Sequence, residues 1–242
     1  MRKILPLLLL LFSLEITGQV LPKRSLKELI NTQEPGWNLI STWMKDAKNK
    51  IEVLPRSQSK AEAALVQAQI TTRSPMGAVV YETGGILIDH GWIRILGSGS
   101  PRLPRALMDW NKGKSFSQEG EQPSFLLIAD DALGGFFALN AGALGETNLG
   151  KVFYLSPDNL QWESTDLGYS EFLQFCFHAD LESFYDGLRW QGWREEVSKL
   201  AGDRGFHCFP YLWSKEGKDI NKVSRKDVPL IELWSLYSGQ DK

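Results

Sequence analysis

The sequence predicts an α+β protein in which an antiparallel β-sheet, a β-meander, packs against helices from both ends of the chain. Short apolar segments between residues 125 and 163 are separated by turns of only a few residues. Such short connections join neighbouring strands only as antiparallel hairpins, because a parallel crossover needs roughly a dozen residues. Helical patterns lie mainly before residue 70 and after residue 168. Helices grouped around a meander are typical of α+β proteins and not of alternating βαβ units.

Three helices are expected near the start of the chain. Ser25 and Glu28 have the spacing of a capping box, which predicts a short helix directly after Ser25. Pro35 suits the first turn of a second helix, whose apolar face would consist of Trp37, Ile40, Trp43 and Met44. A third helix is expected over residues 59–69, which are rich in good helix formers. Residues 51–55 read as a short extended piece between the last two helices.

The sheet is predicted from residues 76–96 and 125–163, with candidate strands at 76–82, 86–88, 92–96, 125–129, 134–140, 151–155 and 160–163. Asp130 and Asp131 are assigned to a tight turn, since an aspartate side chain caps its own backbone there. A pair of carboxylates that binds a metal or shares a proton is the alternative. After the sheet, helices are expected near residues 169–177, 181–188, 193–200 and 229–237, with an extended segment at 205–213 and a loop at 214–227.

The first residues have the pattern of a secretory signal peptide. Arg2 and Lys3 precede an apolar run that is too short to cross a bilayer as a helix. Cleavage before Gln19 would remove residues 1–18 and leave 19–242 as a single α+β domain. We therefore predict an exported protein, periplasmic or secreted, with no integral membrane segment after signal removal. A retained membrane anchor is the alternative.

Composition excludes some function classes. The formal net charge is −2, and loss of Arg2, Lys3 and Glu15 with the signal would make it −3. This balance gives no electrostatic reason to expect binding to nucleic acid. No Walker motif or dinucleotide-binding glycine motif is present, so no cofactor is expected.

The two cysteines leave alternatives open. Cys176 and Cys208 could form a disulfide in an oxidising compartment, whereas the apolar neighbours of Cys176 suit a free buried thiol. Together with His178 and His207 they could bind zinc. The usual gap of two to four residues within each ligand pair is missing, so no metal site is predicted.

Asp89, His90 and Ser98 are the candidates for catalysis, as a hydrolase with a Ser/His/Asp site. The Gly-x-Ser-x-Gly pattern of a nucleophile elbow is missing around Ser98. The preferred interpretation is a binding module that is not an enzyme. The nine tryptophans lie mostly near the ends of predicted elements, where large rings serve binding surfaces, although filling of the core is the simpler explanation for each.

A binding surface is predicted from the order of the turns. Turns at successive hairpins alternate between the ends of a sheet, which places the Gly84 and Gly97 turns at one end and His90 at the other. The contact surface is predicted near Arg73, Arg94, Ser98, Arg102 and Arg105. Guanidinium groups bind carboxylates in pairs of hydrogen bonds, so the partner would be a protein with an anionic patch or a small anionic ligand. The alternative is that these arginines pair with acidic residues inside the domain.

Several long motifs carry a family resemblance. Residues 71–78, 82–86, 89–99 and 129–140, and later 160–172 and 189–193, resemble the bacterial domain-of-unknown-function family 2625 over nearly all of residues 25–240. That family has no assigned activity, so the resemblance implies no mechanism. Residues 135–140, 152–155 and 169–173 are more loosely similar to the SUKH superfamily. That likeness implies an α+β fold and a role as an immunity protein or a regulatory interaction module.

Overall fold

The protein is described by a computed structural model over residues 22–118 and 120–239. Seven strands form one antiparallel sheet, in which each strand pairs with its neighbours in chain order. They are β1 (Ile51–Val53), β2 (Gly85–Ile88), β3 (Ile93–Leu96), β4 (Phe125–Asp131), β5 (Phe136–Asn140), β6 (Val152–Leu155) and β7 (Trp162–Ser164). A separate two-stranded ribbon consists of β8 (Arg204–Phe209) and β9 (Ser224–Pro229). The predicted α+β class and the meander are confirmed.

Helices from both ends of the chain surround the sheet. They are α1 (Leu26–Leu29), α2 (Gly36–Lys45), α3 (Gln58–Ala68), α4 (Pro75–Glu82), α5 (Leu107–Asn111), α6 (Tyr169–His178), α7 (Leu181–Phe184), α8 (Trp193–Lys199) and α9 (Leu230–Ser238). The proposed signal peptide, residues 1–18, lies outside the described residues. Among those described, no helix combines the length and apolar character needed to cross a bilayer.

The sheet is buried on both faces because its central strands carry apolar residues at consecutive positions. On one face, Leu127, Phe136 and Ala138 pack against α9, which contributes Leu230, Leu233, Trp234 and Tyr237. On the other face, Phe137 belongs to a larger core that includes residues of α2, α3, α4, α6 and α8. Alternate side chains of β5 therefore enter different cores, as the two-residue period of a strand requires.

The prediction of a strand at residues 76–82 is wrong, since α4 occupies this segment. The Ser74 hydroxyl accepts a hydrogen bond from the Gly77 backbone N–H at 3.1 Å, and Pro75 occupies the first turn, so the start is a well-formed N-cap. Residues 76–80 are all buried. A helix that is apolar on every side shows no 3.6-residue period, and its valines favour the strand interpretation.

Two further local predictions are corrected. Asp130 and Asp131 do not form a turn: both lie within β4, and the chain reverses over residues 132–135. The expected loop at 214–227 contains most of β9, which pairs with β8 along its whole length. Most of β9 is exposed or half-buried and polar, so it lacks the hydrophobic alternation that identifies a strand.

Candidate ligand-binding site

The hairpin β2–β3 separates two groups of predicted site residues. Gly85 pairs with Leu96, so the Gly84 and Gly97 turns lie at one end of the hairpin and residues 89–91 lie at the other. The first end is tightly packed: a Cβ atom on Gly97 would lie 2.6 Å from the Gly85 nitrogen. The order of turns expected from the sequence is therefore present.

The candidate catalytic residues are not brought together. Ser98 is buried, and its hydroxyl donates a hydrogen bond to the Thr83 carbonyl at 2.7 Å. His90 lies at the opposite end of the hairpin, in the 3₁₀ turn Asp89–Gly91. Asp89 forms an ion pair with Arg189 at 2.8 Å. Ser98 therefore has no histidine beside it to act as a base, and the geometry of a hydrolase is missing at these residues.

Arg94, Arg105 and Asp130 form a buried ionic centre. The Asp130 carboxylate lies 2.6 Å from Nε of Arg94 and 2.6 Å from Nη1 of Arg105, and all three side chains are at most 5% exposed. Burial lowers the pKa of Arg105, and the Asp130 charge opposes that shift. Three of the residues predicted for the contact surface, Arg94, Ser98 and Arg105, are thus inside the domain and do not face a partner.

Arg94 and Arg105 also donate hydrogen bonds to two backbone carbonyls at or just before the start of β8. Arg94 donates to the carbonyl of Arg204, and Arg105 donates to that of Gly202 through Nε at 3.0 Å and Nη2 at 2.7 Å. A buried charge is tolerated when ion pairing and hydrogen bonds together replace water. The centre therefore connects β3 and β4 to the C-terminal part of the chain.

Asp131, next in the chain, has a different environment. Its carboxylate accepts hydrogen bonds from the Tyr154 hydroxyl at 2.6 Å and from the backbone N–H groups of Leu133 and Gly135 at 2.9 Å each. Burial raises the pKa of Asp131, while these hydrogen bonds act in the opposite direction. The two N–H contacts fix the reversal between β4 and β5, so the role of Asp131 is structural.

Two cationic side chains pack against the Trp110 ring. The guanidinium carbon of Arg105 is 4.7 Å from its ring centroid, and the ammonium of Lys114 is 3.9 Å from it. Lys114 also donates a hydrogen bond to the Trp110 carbonyl at 2.6 Å. Burial, with a smaller effect from Arg105, lowers the pKa of Lys114 to about 8.

This shift predicts a pH dependence of stability. Above pH 8 folded Lys114 loses its proton, while an unfolded lysine keeps it to about pH 10.4, so the unfolded state binds more protons and stability rises with pH. We expect wild type to gain more stability than Lys114→Met between pH 8 and 10 in urea unfolding. Lys112→Met, at an exposed position nearby, serves as the control. Parallel curves for wild type and Lys114→Met would contradict the prediction.

Arg73 and Arg102 are the two predicted binding residues that remain exposed. Arg73 pairs with Glu34 at 2.6 Å, and Arg102 pairs with Glu52 at 2.5 Å. Exposed pairs of this kind contribute about 0–1 kcal/mol to stability. Their guanidinium groups are therefore free to exchange an internal partner for an external anion at little cost.

Arg102 lines a pocket of about 40 Å³, together with Lys50, Glu52, Leu87, His90, Gly91 and Ser198. A volume of this size holds about three water molecules, or a small oxyanion in their place. Lys50 and Arg102 are cationic, Glu52 is the single acidic residue of the lining, and the imidazole of His90 can donate a hydrogen bond. The pocket thus combines one predicted binding residue, Arg102, with His90, which was predicted only as a catalytic candidate.

The Arg189 guanidinium packs against three aromatic rings, next to the turn that contains His90. The Arg189 guanidinium carbon is 4.2 Å from the ring centroid of Trp193, 4.8 Å from that of Trp92 and 5.1 Å from that of Tyr185. The Arg189 side chain is 5% exposed and also pairs with Glu182 at 3.1 Å. We call Arg189 with Asp89 and these three rings the Arg189 clamp.

The cysteines and histidines do not converge. Cys176 and Cys208 are both free and buried, so the disulfide left open by the sequence is not formed. Burial raises the pKa of both thiols, that of Cys208 to about 12. Within residues 22–118 and 120–239, no group of three or more His, Cys, Asp or Glu side chains could coordinate a metal ion.

Fold and site together define an α+β protein with a meander sheet, a buried ionic centre and a small cationic pocket at one end of a hairpin. The chain belongs to the family described as "Protein of unknown function DUF2625", whose sequence profile matches residues 26–233. It is 47% identical over 215 residues to the "Putative uncharacterized protein YbfG" of Escherichia coli strain K12, covering 88% of this chain and 95% of the relative. An "Uncharacterized protein" of Haemophilus influenzae is 49% identical over 205 residues, covering 85% and 90%.

No solved structure matches the chain significantly. The looser likeness to the SUKH superfamily is therefore not shown and stays a prediction. The family assignment agrees with the motifs identified in the sequence, and it brings no activity with it.

Proposed function

We propose that this protein is an exported binding module, not an enzyme, whose pocket binds an anionic group of a small ligand or of a protein partner. The observation that carries the proposal is the convergence of Lys50, His90 and Arg102 on one pocket. Two cationic side chains and an imidazole donor can replace the hydration of a carboxylate or phosphate. The separation of Ser98 from His90 favours binding over hydrolysis at these residues.

Export is part of the proposal and depends on the pattern of residues 1–18. The mass of the protein recovered from the cell envelope tests it, because cleavage would leave Gln19 as the first residue. Recovery only of uncleaved protein from the cytoplasm would contradict export without affecting the pocket.

Titration with inorganic phosphate and with acetate, followed by calorimetry and NMR, tests the pocket. We expect saturable binding of at least one anion near millimolar Kd, which corresponds to about −4 kcal/mol. The affinity should fall with added chloride, because salt screens exposed charges.

The double variant Lys50→Ala/Arg102→Ala should bind the same anion at least about tenfold more weakly, since each charge-assisted hydrogen bond is worth about 1.5–3 kcal/mol. Arg73→Ala is the matched control, because Arg73 forms the same kind of exposed pair with a glutamate but does not line the pocket. Equal binding by wild type and the double variant would refute the pocket as the site.

A further inference from the structure

The turn that presents His90 to the pocket has an unfavourable backbone. Asp89, His90 and Gly91 have φ angles of +47°, +63° and +89°, so three consecutive residues are in the left-handed region. Only glycine adopts this region without a penalty, which for other residues is about 1–2 kcal/mol each. Such a conformation persists only where surrounding contacts enforce it.

The Arg189 clamp supplies those contacts. Nη2 of Arg189 lies 2.8 Å from the Asp89 carboxylate, and the Asp89 side chain is only 14% exposed. The backbone adds two hydrogen bonds, from Asp89 N–H to the Lys50 carbonyl at 2.8 Å and from Trp92 N–H to the Asp89 carbonyl at 3.1 Å. The ion pair is therefore the side-chain contact that fixes the first left-handed residue.

The same guanidinium also contacts α8, a second element of the pocket lining. Trp193 is the first residue of α8, and Ser198 of that helix lines the pocket. The Trp193 ring stacks on Arg189 at 4.2 Å and meets the His90 ring edge-on, with centroids 6.3 Å apart. One buried cation thus contacts both the turn that contains His90 and the helix that contains Ser198.

We propose that Arg189 is a positioning residue for the pocket. By pairing with Asp89 and stacking on Trp193 it fixes His90 and α8 relative to β1, so anion binding depends on a side chain that the anion does not touch. This inference rests on the proposed function for its effect on affinity. The position of the His90 ring tests it independently, with no ligand added.

Arg189→Lys is the informative variant. It keeps the positive charge but removes the planar group that stacks on three rings and forms two ion pairs at once. The chain has three histidines, so the imidazole proton signals of His90 can be assigned and followed by NMR. We expect the His90 signals to move in ligand-free Arg189→Lys, those of His178 and His207 to stay in place, and phosphate to bind at least about fivefold more weakly.

Arg194→Lys is the matched control. Arg194 stacks on Trp193 at 4.5 Å and also pairs with Glu182, but it is 54% exposed and does not contact Asp89. It should leave the His90 signals and phosphate binding close to wild type. If Arg189→Lys does not fold, Asp89→Asn replaces it, because asparagine tolerates the left-handed region and removes only the charge of the pair.

The outcomes separate the two proposals. Unmoved His90 signals in a folded Arg189→Lys or Asp89→Asn would overturn the positioning role, whatever the wild type binds. Wild type that binds neither phosphate nor acetate would overturn the proposed function, while displaced His90 signals in the variant would still support the clamp.

Discussion

Replacing Asp130 by asparagine is expected to lower the free energy of unfolding by about 3–5 kcal/mol. Asparagine has nearly the same shape but no charge, so Arg94 and Arg105 would stay buried without the carboxylate that pairs with both of them. The cost of leaving charges uncompensated in the interior exceeds the net value of the original pairs. Urea unfolding followed by tryptophan fluorescence measures the change as a shift of the midpoint.

Asp109→Asn is the control for this prediction. Asp109 lies on α5 and is exposed, so the same chemical change should alter stability by no more than about 0.5 kcal/mol. A loss below about 1 kcal/mol for Asp130→Asn would show that the buried ionic centre contributes far less than its geometry implies.

Trp92→Ala is the second substitution with a large expected effect, a loss of about 3–5 kcal/mol. Trp92 is fully buried, and its ring centroid lies 4.9 Å from that of Trp193, 5.3 Å from Tyr185 and 5.8 Å from Trp190. Truncation would open a cavity that three rigid rings cannot fill by small adjustments. Thermal and urea unfolding measure the loss.

Trp162→Ala makes the same change on edge strand β7, where the side chain is only half-buried. We expect it to cost less than half as much, because less apolar surface returns to water. Equal losses for the two variants would contradict a special role of the aromatic cluster around Trp92.

The meander was predictable because local signals agree there. Short turns at residues 132–135 and 156–161 permit only antiparallel neighbours, and the apolar segments between them are long enough to be strands. Helix α2 was predictable from the period of its apolar residues and from the proline at its start. These features depend on residues close together in the sequence.

Features decided by distant contacts were not predictable in this way. Residues 76–80 are buried on all sides by other elements, which removes the pattern that distinguishes α4 from a strand. Asp130 lies within β4 because Arg94 and Arg105, 36 and 25 residues away in the sequence, neutralise it. From the sequence alone, where the two arginine partners are unknown, two aspartates before a glycine-rich segment fit a turn as well as a strand.

The candidate site was predictable only in part. Arg102 was included in the predicted surface and lines the pocket, whereas Lys50 and Arg189 were not selected. Lys50 directly precedes β1, and its place beside His90 depends on the pairing of β1 with β2. Arg189 belongs to the 189–193 motif of the family, which was the one local signal that could have indicated it.

The carbonyls of Gly202 and Arg204, far along the chain from β3 and β4, complete the buried ionic centre. Strands β3 and β4 place Arg94 beside Asp130 and the Asp131 carbonyl, whereas one donor group of Arg94 and two of Arg105 bond to the carbonyls of residues 204 and 202. A nascent chain that ends before residue 202 therefore lacks three of the hydrogen bonds that these two guanidinium groups form in the folded protein. The native contacts of the buried ionic centre are therefore complete only after residues 202 and 204 have been synthesised.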